Sequence, residues 1–166
     1  MNKRAEDNSR AQTFDRIVNQ YSLLITKVCY YYSDTLSDFK DLRQDVLINI
    51  WTGIDKLNDH SRITTWIYRV CFNTCISYRR RNKNRKKEVD IACLVETPME
   101  EGFDAGRYNE MHALINRLKQ DEKAIIMMWI DGTTYEEIAE VVGTNRNTIA
   151  TRIKRIKEKL VKLSNQ

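Results

Sequence analysis

Two short apolar repeats with helical spacing, separated by Gly143, occupy residues 134–159. Thr134, followed three residues later by Glu137, has the spacing of a capping box, which starts a helix. Gly143 suits the positive φ with which many helices end, and Asn145 can cap a second helix. The stretch therefore predicts two short helices joined by a tight turn, which is a helix-turn-helix.

The second of these helices has two chemically different sides. Arginine and lysine cover most of its surface, which is typical of a helix that enters the major groove of DNA. The alternative is an ordinary amphipathic hairpin with a solvated charged face. Ala139 and Gly143, four residues apart, favour DNA binding because they would let the two helices approach closely. The apolar side is a stripe of Ile149, Ile153, Ile156, Leu160 and Leu163.

The rest of the chain is also predicted to be helical. Its 166 residues are 42% hydrophobic, with one Pro and five Gly, and few apolar runs alternate as strands do. We expect an all-α fold of two small helical domains joined by a flexible acidic linker, the second domain being the helix-turn-helix domain. The predicted boundaries are 1–87, 88–110 for the linker, and 111–166.

Charge is unevenly distributed along the chain, although the net charge is only +5. Residues 61–87 carry nine basic and no acidic side chains, whereas residues 88–110 carry one basic and seven acidic side chains. Residues 111–166 carry ten basic and seven acidic side chains. Two basic blocks around an acidic one indicate two modules that bind a polyanion, joined by a segment that DNA would repel.

The first basic block is predicted to begin as a helix over residues 66–81. One face of it carries Arg69, Asn73 and Arg80, with Arg62 just ahead of the helix. Arginine and asparagine are side chains that reach guanine, adenine and phosphate. The alternative is a solvated helix end. That alternative does not explain why so many cations occur here with no anion among them.

An earlier helix, over residues 41–54, is apolar on two sides. Leu42, Val46, Ile50 and Ile54 form one stripe, and Leu47 with Trp51 forms a displaced second stripe. Such a helix is either deeply buried or packs its second side on a partner, and the pattern alone leaves both open. The polar residues that would rim the second side are Asp41, Gln44, Asp45 and Asn49.

Several classes of protein are disfavoured by what the sequence lacks. The N-terminus has no apolar run behind its charges, so we expect no signal peptide, and no stretch has the length of a membrane span. Cys71 and Cys75 are one helical turn apart but have no histidine close in sequence, which favours reduced core cysteines in a cytoplasmic protein over a metal site. The sequence also has no Gly-rich phosphate loop and no credible catalytic set, so we expect neither an enzyme nor a cofactor.

These segments resemble a known family, the extracytoplasmic-function (ECF) sigma factors. Similarity to the second conserved region of that family lies in DLRQDVLINIW at 41–51, TWIYRVCFN at 65–73 and YRR at 78–80. Similarity to the fourth region lies in YEEIAE at 135–140, Gly143, NTI at 147–149, Thr151 and Arg152. The spacer between the two regions is too short for the third domain of larger sigma factors. The chain departs from the family pattern at Ser77, Lys119 and Ala150.

The resemblance implies a protein that binds core RNA polymerase, recognises promoter DNA as duplex and as melted non-template strand, and promotes melting. It implies no cofactor, no metal and no insertion into a membrane, and it adds an anti-sigma factor as a candidate partner. The acidic linker would thread the polymerase channel toward the RNA exit path. A stand-alone helix-turn-helix regulator is the alternative, and a recombinase or transposase would need a catalytic set that the sequence lacks.

The resemblance also implies three sets of contact residues. The set for core polymerase is Asp41, Gln44, Asp45, Leu47, Asn49 and Trp51. The set for the minus-ten element is Asn58, Asp59, His60, Ser61, Arg62, Arg69, Asn73 and Arg80. The set for the minus-thirty-five element is Arg146, Asn147, Thr148, Thr151, Arg152, Lys154 and Arg155.

Overall fold

The computed structural model describes residues 3–57, 59–83 and 105–165. These residues form eight α-helices and two short 3-10 helices, and no strand occurs among them, which confirms the all-α prediction. The chain divides into two compact units, Met1–Glu100 and Glu101–Gln166.

The described residues of the first unit form four α-helices. Its 3-10 helices, Ile54–Lys56 and His60–Arg62, connect the third helix to the fourth. The α-helices are α1 (Lys3–Gln20), α2 (Ser22–Tyr32), α3 (Leu36–Gly53) and α4 (Ile63–Arg81).

The core of this unit lies where α2, α3 and α4 meet. The last turns of α2 are buried on all sides, including Tyr31 and Tyr32. The Tyr32 ring lies 6.0 Å from the Phe72 ring, which in turn stacks on Tyr68 at 5.8 Å. Aromatic pairs at this spacing add to the free energy of area burial, and they fix α4 against α2.

Three of the four cysteines, Cys29, Cys71 and Cys75, are buried free thiols in this core, as the sequence predicted. Burial, and secondarily the neighbouring Cys29, raise the pKa of the Cys71 thiol. The thiol therefore stays protonated. Because only the thiolate binds metal or reacts readily, Cys71 is a packing residue of the core. The fourth, Cys93, lies outside the described residues.

The apolar residues from Phe14 to Val28 recur at the spacing of a single helix, but they belong to two helices. The chain is helical from Lys3, and it breaks at Tyr21, whose φ of −107° and ψ of 13° separate α1 from α2. The Tyr21 hydroxyl lies 3.0 Å from Thr64 Oγ1 at the start of α4. This contact joins residues far apart in sequence, so the apolar periodicity carried no sign of it.

The two longest helices of this core start in different ways. Helix α3 is capped by Thr35, whose Oγ1 accepts from the Asp38 N–H at 3.0 Å. Ser37 and Asp38 also have the chemistry of a helix cap, and the backbone geometry selects Thr35. Helix α4 begins after Arg62 with no side-chain cap, and Thr64 in its first turn contacts Tyr21.

The described residues of the second unit also form four α-helices. They are α5 (Ala105–Asn116), α6 (Gln120–Ile130), α7 (Tyr135–Val142) and α8 (Arg146–Ser164). Helix α6 is buried along most of its length, from Lys123 to Met128, and α8 packs against the other three. Most of the predicted linker lies outside the described residues, and α5 covers its last residues, 105–110.

The predicted helix-turn-helix is confirmed in its local detail. Thr134 Oγ1 accepts from the Glu137 N–H at 3.3 Å, and the Glu137 carboxylate accepts from the Thr134 N–H at 3.0 Å. Gly143 ends α7 with a φ of 77°. Asn145 Oδ1 then accepts from the Thr148 N–H at 2.9 Å and starts α8.

We predict that Gly143→Ala destabilises the second unit by about 1 kcal/mol. An added Cβ would meet nothing within 4 Å, so the cost comes from the left-handed backbone alone. Gly143→Asn is the matched control and should cost less, because asparagine tolerates this conformation. Native-state hydrogen exchange of the α7 and α8 amides measures both, and equal loss of protection in the two variants would contradict the explanation.

Candidate nucleic-acid interface

Helix α8 presents an exposed polar stripe opposite a buried apolar one. Ile149, Ile153 and Ile156 are buried, while Leu160 and Leu163 of the predicted stripe are only half-buried. With 3.6 residues per turn, the opposite side of the helix is the side available to a ligand. The exposed candidates on it are Asn147, Thr151, Lys154 and Arg155.

The two arginines among the other candidates each contact a carboxylate on an earlier helix. Arg146 Nε donates to Glu136 Oε1 of α7 at 2.6 Å, and the guanidinium carbon lies 5.7 Å from the centre of the Tyr135 ring. Arg152 Nη1 lies 3.8 Å from Asp121 Oδ2 of α6. Because Arg152 lies on the flank toward α6, its position favours backbone contact over base contact.

Thr148 is less available than the sequence suggested. It is half-buried, and its hydroxyl donates to the Asn145 carboxamide at 3.0 Å as part of the helix cap. Thr151, one turn further on, is exposed, although its hydroxyl donates to the Asn147 carbonyl at 3.1 Å. Of the two threonines, Thr151 is therefore the one that can face a ligand.

Lys159 and Glu122 form a contact between α8 and the start of α6. Lys159 Nζ lies 2.7 Å from Glu122 Oε2, and the same carboxylate accepts from the Lys119 N–H at 2.8 Å. Glu122 thus caps α6 and joins it to α8. Burial alone would raise the pKa of Glu122, but these two hydrogen bonds and the charges of Lys159 and Lys119 together lower it.

In the first unit, α3 buries one of its two apolar sides. Leu42, Val46 and Ile50 are buried, whereas Leu47 is half-buried and Asp41, Gln44 and Asn49 are exposed. Ile48, which the sequence analysis did not single out, is 50% exposed. A helix that exposes apolar side chains beside a polar rim is consistent with a surface that contacts a partner.

Trp51, at the end of α3, is partly covered by α1. Its ring lies 5.3 Å from the Phe14 ring in an edge-to-face arrangement and 4.6 Å from the Arg10 guanidinium carbon. Arg10 also donates to the Trp51 carbonyl at 2.6 Å and pairs with Asp55 at 3.0 Å. Trp51 is still 36% exposed, so α1 holds one side of the ring and leaves another accessible.

A cleft of about 500 Å³ separates the outer faces of α3 and α4. Asp45 and Arg81 form an ion pair of 3.0 Å at this cleft, and Asn49 Nδ2 donates to Thr74 Oγ1 at 2.8 Å. The lining residues are Asp45, Ile48, Asn49, Val70, Asn73, Thr74, Ser77 and Arg81. Candidate polymerase contacts and a candidate DNA contact therefore share one surface, which neither set alone indicated.

The remaining candidates for the minus-ten element lie before and along α4. Asn58 and the His60 side chain are outside the described residues. Asp59 Oδ1 accepts from the Ser61 N–H at 2.9 Å and from its hydroxyl at 2.6 Å, which makes a local turn. Arg62, Asn73 and Arg80 are exposed and Arg69 is half-buried.

Comparison with known proteins assigns these two units to known regions. The family model described as Sigma-70 region 2 matches residues 17–85, and the family model described as Sigma-70, region 4 matches residues 108–160. The two matches together cover most of the chain. The chain belongs to the sigma-70 family.

Its curated relatives assign it to a subfamily. The chain is 26% identical over 161 residues to the ECF RNA polymerase sigma-E factor of Haemophilus influenzae, with 89% of this chain and 85% of that protein covered. It is 27% identical over 168 residues to the ECF RNA polymerase sigma factor SigW of Bacillus subtilis, covering 90% and 87%. Within the sigma-70 family it is an ECF factor.

Solved structures share the fold. CnrH, solved in complex with the cytosolic domain of CnrY, has a TM-score of 0.69 at 20% identity, covering 93% of this chain and 89% of that one. The sigma factor RpoE, in complex with the anti-sigma factor NepR from Bartonella quintana, has a TM-score of 0.70 at 19% identity, covering 93% and 98%. Among the residues that our structure describes, no helix has the length and apolarity needed to cross a membrane.

We predict that Glu122→Gln destabilises the second unit at neutral pH and that this effect disappears in acid. The lowered pKa of Glu122 means that the folded state holds the ionised carboxylate more tightly than the unfolded state does. Its contribution is present above the ordinary glutamate pKa of about 4.3 and is lost as pH falls through the folded-state pKa.

The measurement is the free energy of unfolding of wild type and variant between neutral and acidic pH. Glu158→Gln is the control, because Glu158 is exposed on the same helix as Lys159. A Glu122→Gln difference that does not change with pH would contradict the assignment.

Proposed function

We propose that this protein binds core RNA polymerase, recognises promoter DNA and promotes its melting to start transcription. The observation that carries the proposal is the presence of a region 2 unit and a region 4 unit in one chain, each with an exposed basic helix face. We propose that it acts in the cytoplasm as a non-enzymatic factor.

Helix α8 is the proposed reader of the minus-thirty-five element. The first turns of a recognition helix usually meet base edges in the major groove, and Asn147 and Thr151 occupy them. Lys154 and Arg155 lie further along, where contact with phosphate is expected. Arg146 and Arg152 flank this stripe, and Thr148 supports its start.

The loop before α4 and the exposed face of α4 are the proposed site for the minus-ten element. Capture of an unstacked base requires a polar pocket and cations along the backbone. The Asp59–Ser61 turn and Asn73 at the cleft supply polar groups. Arg62, Arg69 and Arg80, with Asn58 and His60, complete the proposed set.

The exposed side of α3 is the proposed contact with core polymerase. Leu47 and Trp51 would provide apolar area and Asp41, Gln44, Asp45 and Asn49 a polar rim, which is how stable interfaces are commonly built. Ile48 belongs to the same exposed side.

The acidic segment at 88–110 is the proposed connection between the two modules, with domains at 1–87 and 111–166. Seven acids against one base fit a path through a positively lined polymerase channel better than a path along DNA. An anti-sigma factor is a further proposed partner, supported by the structurally similar RpoE in complex with NepR.

Transcription in vitro with core polymerase on promoter-bearing templates tests the proposal. A sigma factor should bind promoter DNA and start transcription only together with core polymerase. A stand-alone regulator, the alternative class, would bind duplex promoter DNA by itself. Specific duplex binding without polymerase, and no initiation with it, would overturn the proposal.

We predict that Asp45→Lys weakens binding to core polymerase by about tenfold or more, because it reverses a charge on the proposed interface. The same change also breaks the Asp45–Arg81 ion pair. Arg81→Ala is therefore the matched control, since it removes that pair and leaves the proposed polymerase contact intact. Equal losses in the two variants, measured by titration of labelled protein with core polymerase, would assign the effect to the ion pair.

We predict that Asn147→Ala and Arg155→Ala affect promoter binding in different ways. Loss of a base contact costs about 1–3 kcal/mol and relaxes preference at one position. Loss of a phosphate contact weakens all sequences similarly and reduces the salt slope by about one. Asn147→Ala should show the first behaviour and Arg155→Ala the second.

Binding of holoenzyme to a library of upstream elements at several salt concentrations separates the two behaviours. Circular dichroism of each variant checks that the helices are retained. If Arg155→Ala changed sequence preference and Asn147→Ala did not, the rotation of α8 toward DNA would differ from the one proposed.

A further inference from the structure

Arg146, at the start of α8, is held on two sides, by a carboxylate and by an aromatic ring. Its Nε donates to Glu136 at 2.6 Å and its guanidinium lies over the Tyr135 ring at 5.7 Å. The side chains remain exposed, at 58% for Arg146 and 65% for Glu136. An ion pair so exposed contributes only about 0–1 kcal/mol to stability, so stability alone does not account for the arrangement.

The contact with Glu136 leaves the two Nη nitrogens of the guanidinium available to a ligand. Glu136 takes up the Nε edge, and in the described part of the chain neither Nη nitrogen of Arg146 has a hydrogen bond or ion pair. Those two nitrogens form the fork that binds O6 and N7 of guanine in the major groove. Arg146 is also the first residue of α8, and the start of a recognition helix is where base edges are met.

We propose that Glu136 and Tyr135 are positioning residues that hold Arg146 ready to read a guanine in the upstream promoter element. The proposal rests on the proposed function, since it assumes that α8 is the promoter reader. Fixing the guanidinium before DNA arrives reduces the conformational entropy lost on binding. It also restricts the directions in which the fork can donate, so Arg146 contributes to sequence preference and not only to affinity.

The acidic partner makes this arrangement costly unless it has such a role. Glu136 places a negative charge beside a helix that is expected to approach phosphates, which repels DNA regardless of sequence. A lysine or arginine that only neutralised phosphate would bind more strongly without it. Lys154 and Arg155, which have no ion pair in the described residues, are free in that way.

The test is a double-mutant cycle on sequence preference, using holoenzyme and an upstream-element library with every position randomised. Arg146→Ala should reduce preference for guanine at one position by roughly 5- to 150-fold, the range of one bidentate arginine–guanine pair. Glu136→Gln should reduce preference at that same position by about 3- to 10-fold, while binding to the other sequences stays equal or rises. In the Arg146→Ala background, Glu136→Gln should change preference no further.

The aromatic contact is tested in the same library. Tyr135→Phe keeps the ring and should keep the preference, whereas Tyr135→Leu should reduce it at the guanine position that Arg146 reads. Glu158→Gln is the control for loss of one negative charge and should leave preference unchanged, because Glu158 is exposed and lies about three turns beyond Arg146 on the same helix. Circular dichroism and thermal unfolding of each variant establish that the second unit remains folded.

Three results would overturn the proposal. Glu136→Gln that strengthens binding to all sequences equally would show that Glu136 only repels DNA. An undiminished Glu136→Gln effect in the Arg146→Ala background would show that Glu136 contacts the base itself. Arg146→Ala without a change in preference would exclude Arg146 as a reader.

Failure of the underlying function has a different result. Lys154→Ala with Arg155→Ala should lower use of every upstream sequence if α8 binds the promoter at all. If that double variant has no effect, the proposed role of α8 is wrong. If it has the expected effect while the Arg146 cycle fails, only the positioning role is wrong.

Discussion

The second unit depends on burial of one apolar stripe of α8. Ile149, Ile153 and Ile156 are almost fully removed from solvent, and each buried isoleucine contributes about 1.5–3 kcal/mol. The ion pairs around the helix contribute much less, because exposed pairs are worth at most about 1 kcal/mol. The stripe therefore determines which side of α8 faces the protein, and the charges are placed on what remains.

In the first unit, α3 is apolar on two sides and buries only one of them. The Leu42, Val46 and Ile50 side chains of α3 are buried in the core of the unit, which leaves Ile48 and part of Trp51 in solvent. Arg10 and Phe14 cover one side of Trp51 through a cation–aromatic and an edge-to-face contact. Such coverage lowers the cost of an exposed aromatic ring while keeping an accessible side, as an interface that must also exist free in solution requires.

Local features of the fold were predictable because their causes are local. The Thr134–Glu137 box, the left-handed Gly143 and the Asn145 cap each depend on residues within one turn, and the sequence identified all three. Where several residues with cap chemistry stood together, as at Thr35 and Ser37, sequence could not choose, since the choice depends on backbone geometry. The surfaces implied by the family resemblance were likewise assigned residue by residue, and most of those residues are exposed or half-exposed in the described part of the chain.

Contacts between side chains that are distant in sequence could not be predicted from such local features. Arg10 and Trp51 are 41 residues apart, Asp45 and Arg81 are 36 apart, and Arg146 and Glu136 are 10 apart. No periodicity or propensity links such pairs, because each depends on how two helices cross and on the rotamers available there. These are the contacts that decide which candidate side chains are held and which are free.

The distinction between held and free cations connects packing to recognition. A free lysine or arginine on α8 can follow a phosphate wherever DNA presents it, so it adds affinity with little regard for sequence. A guanidinium held by a carboxylate and a ring, as Arg146 is, gives up that adaptability and offers one direction of donation. Because α7 supplies both holding groups, the packing of α7 against α8, in a unit where Ile138 and Ile149 are fully buried, also sets the direction in which Arg146 points. On this view the apolar contact between the two helices specifies the polar surface they present, and a change in the first would alter the second without removing a single charge.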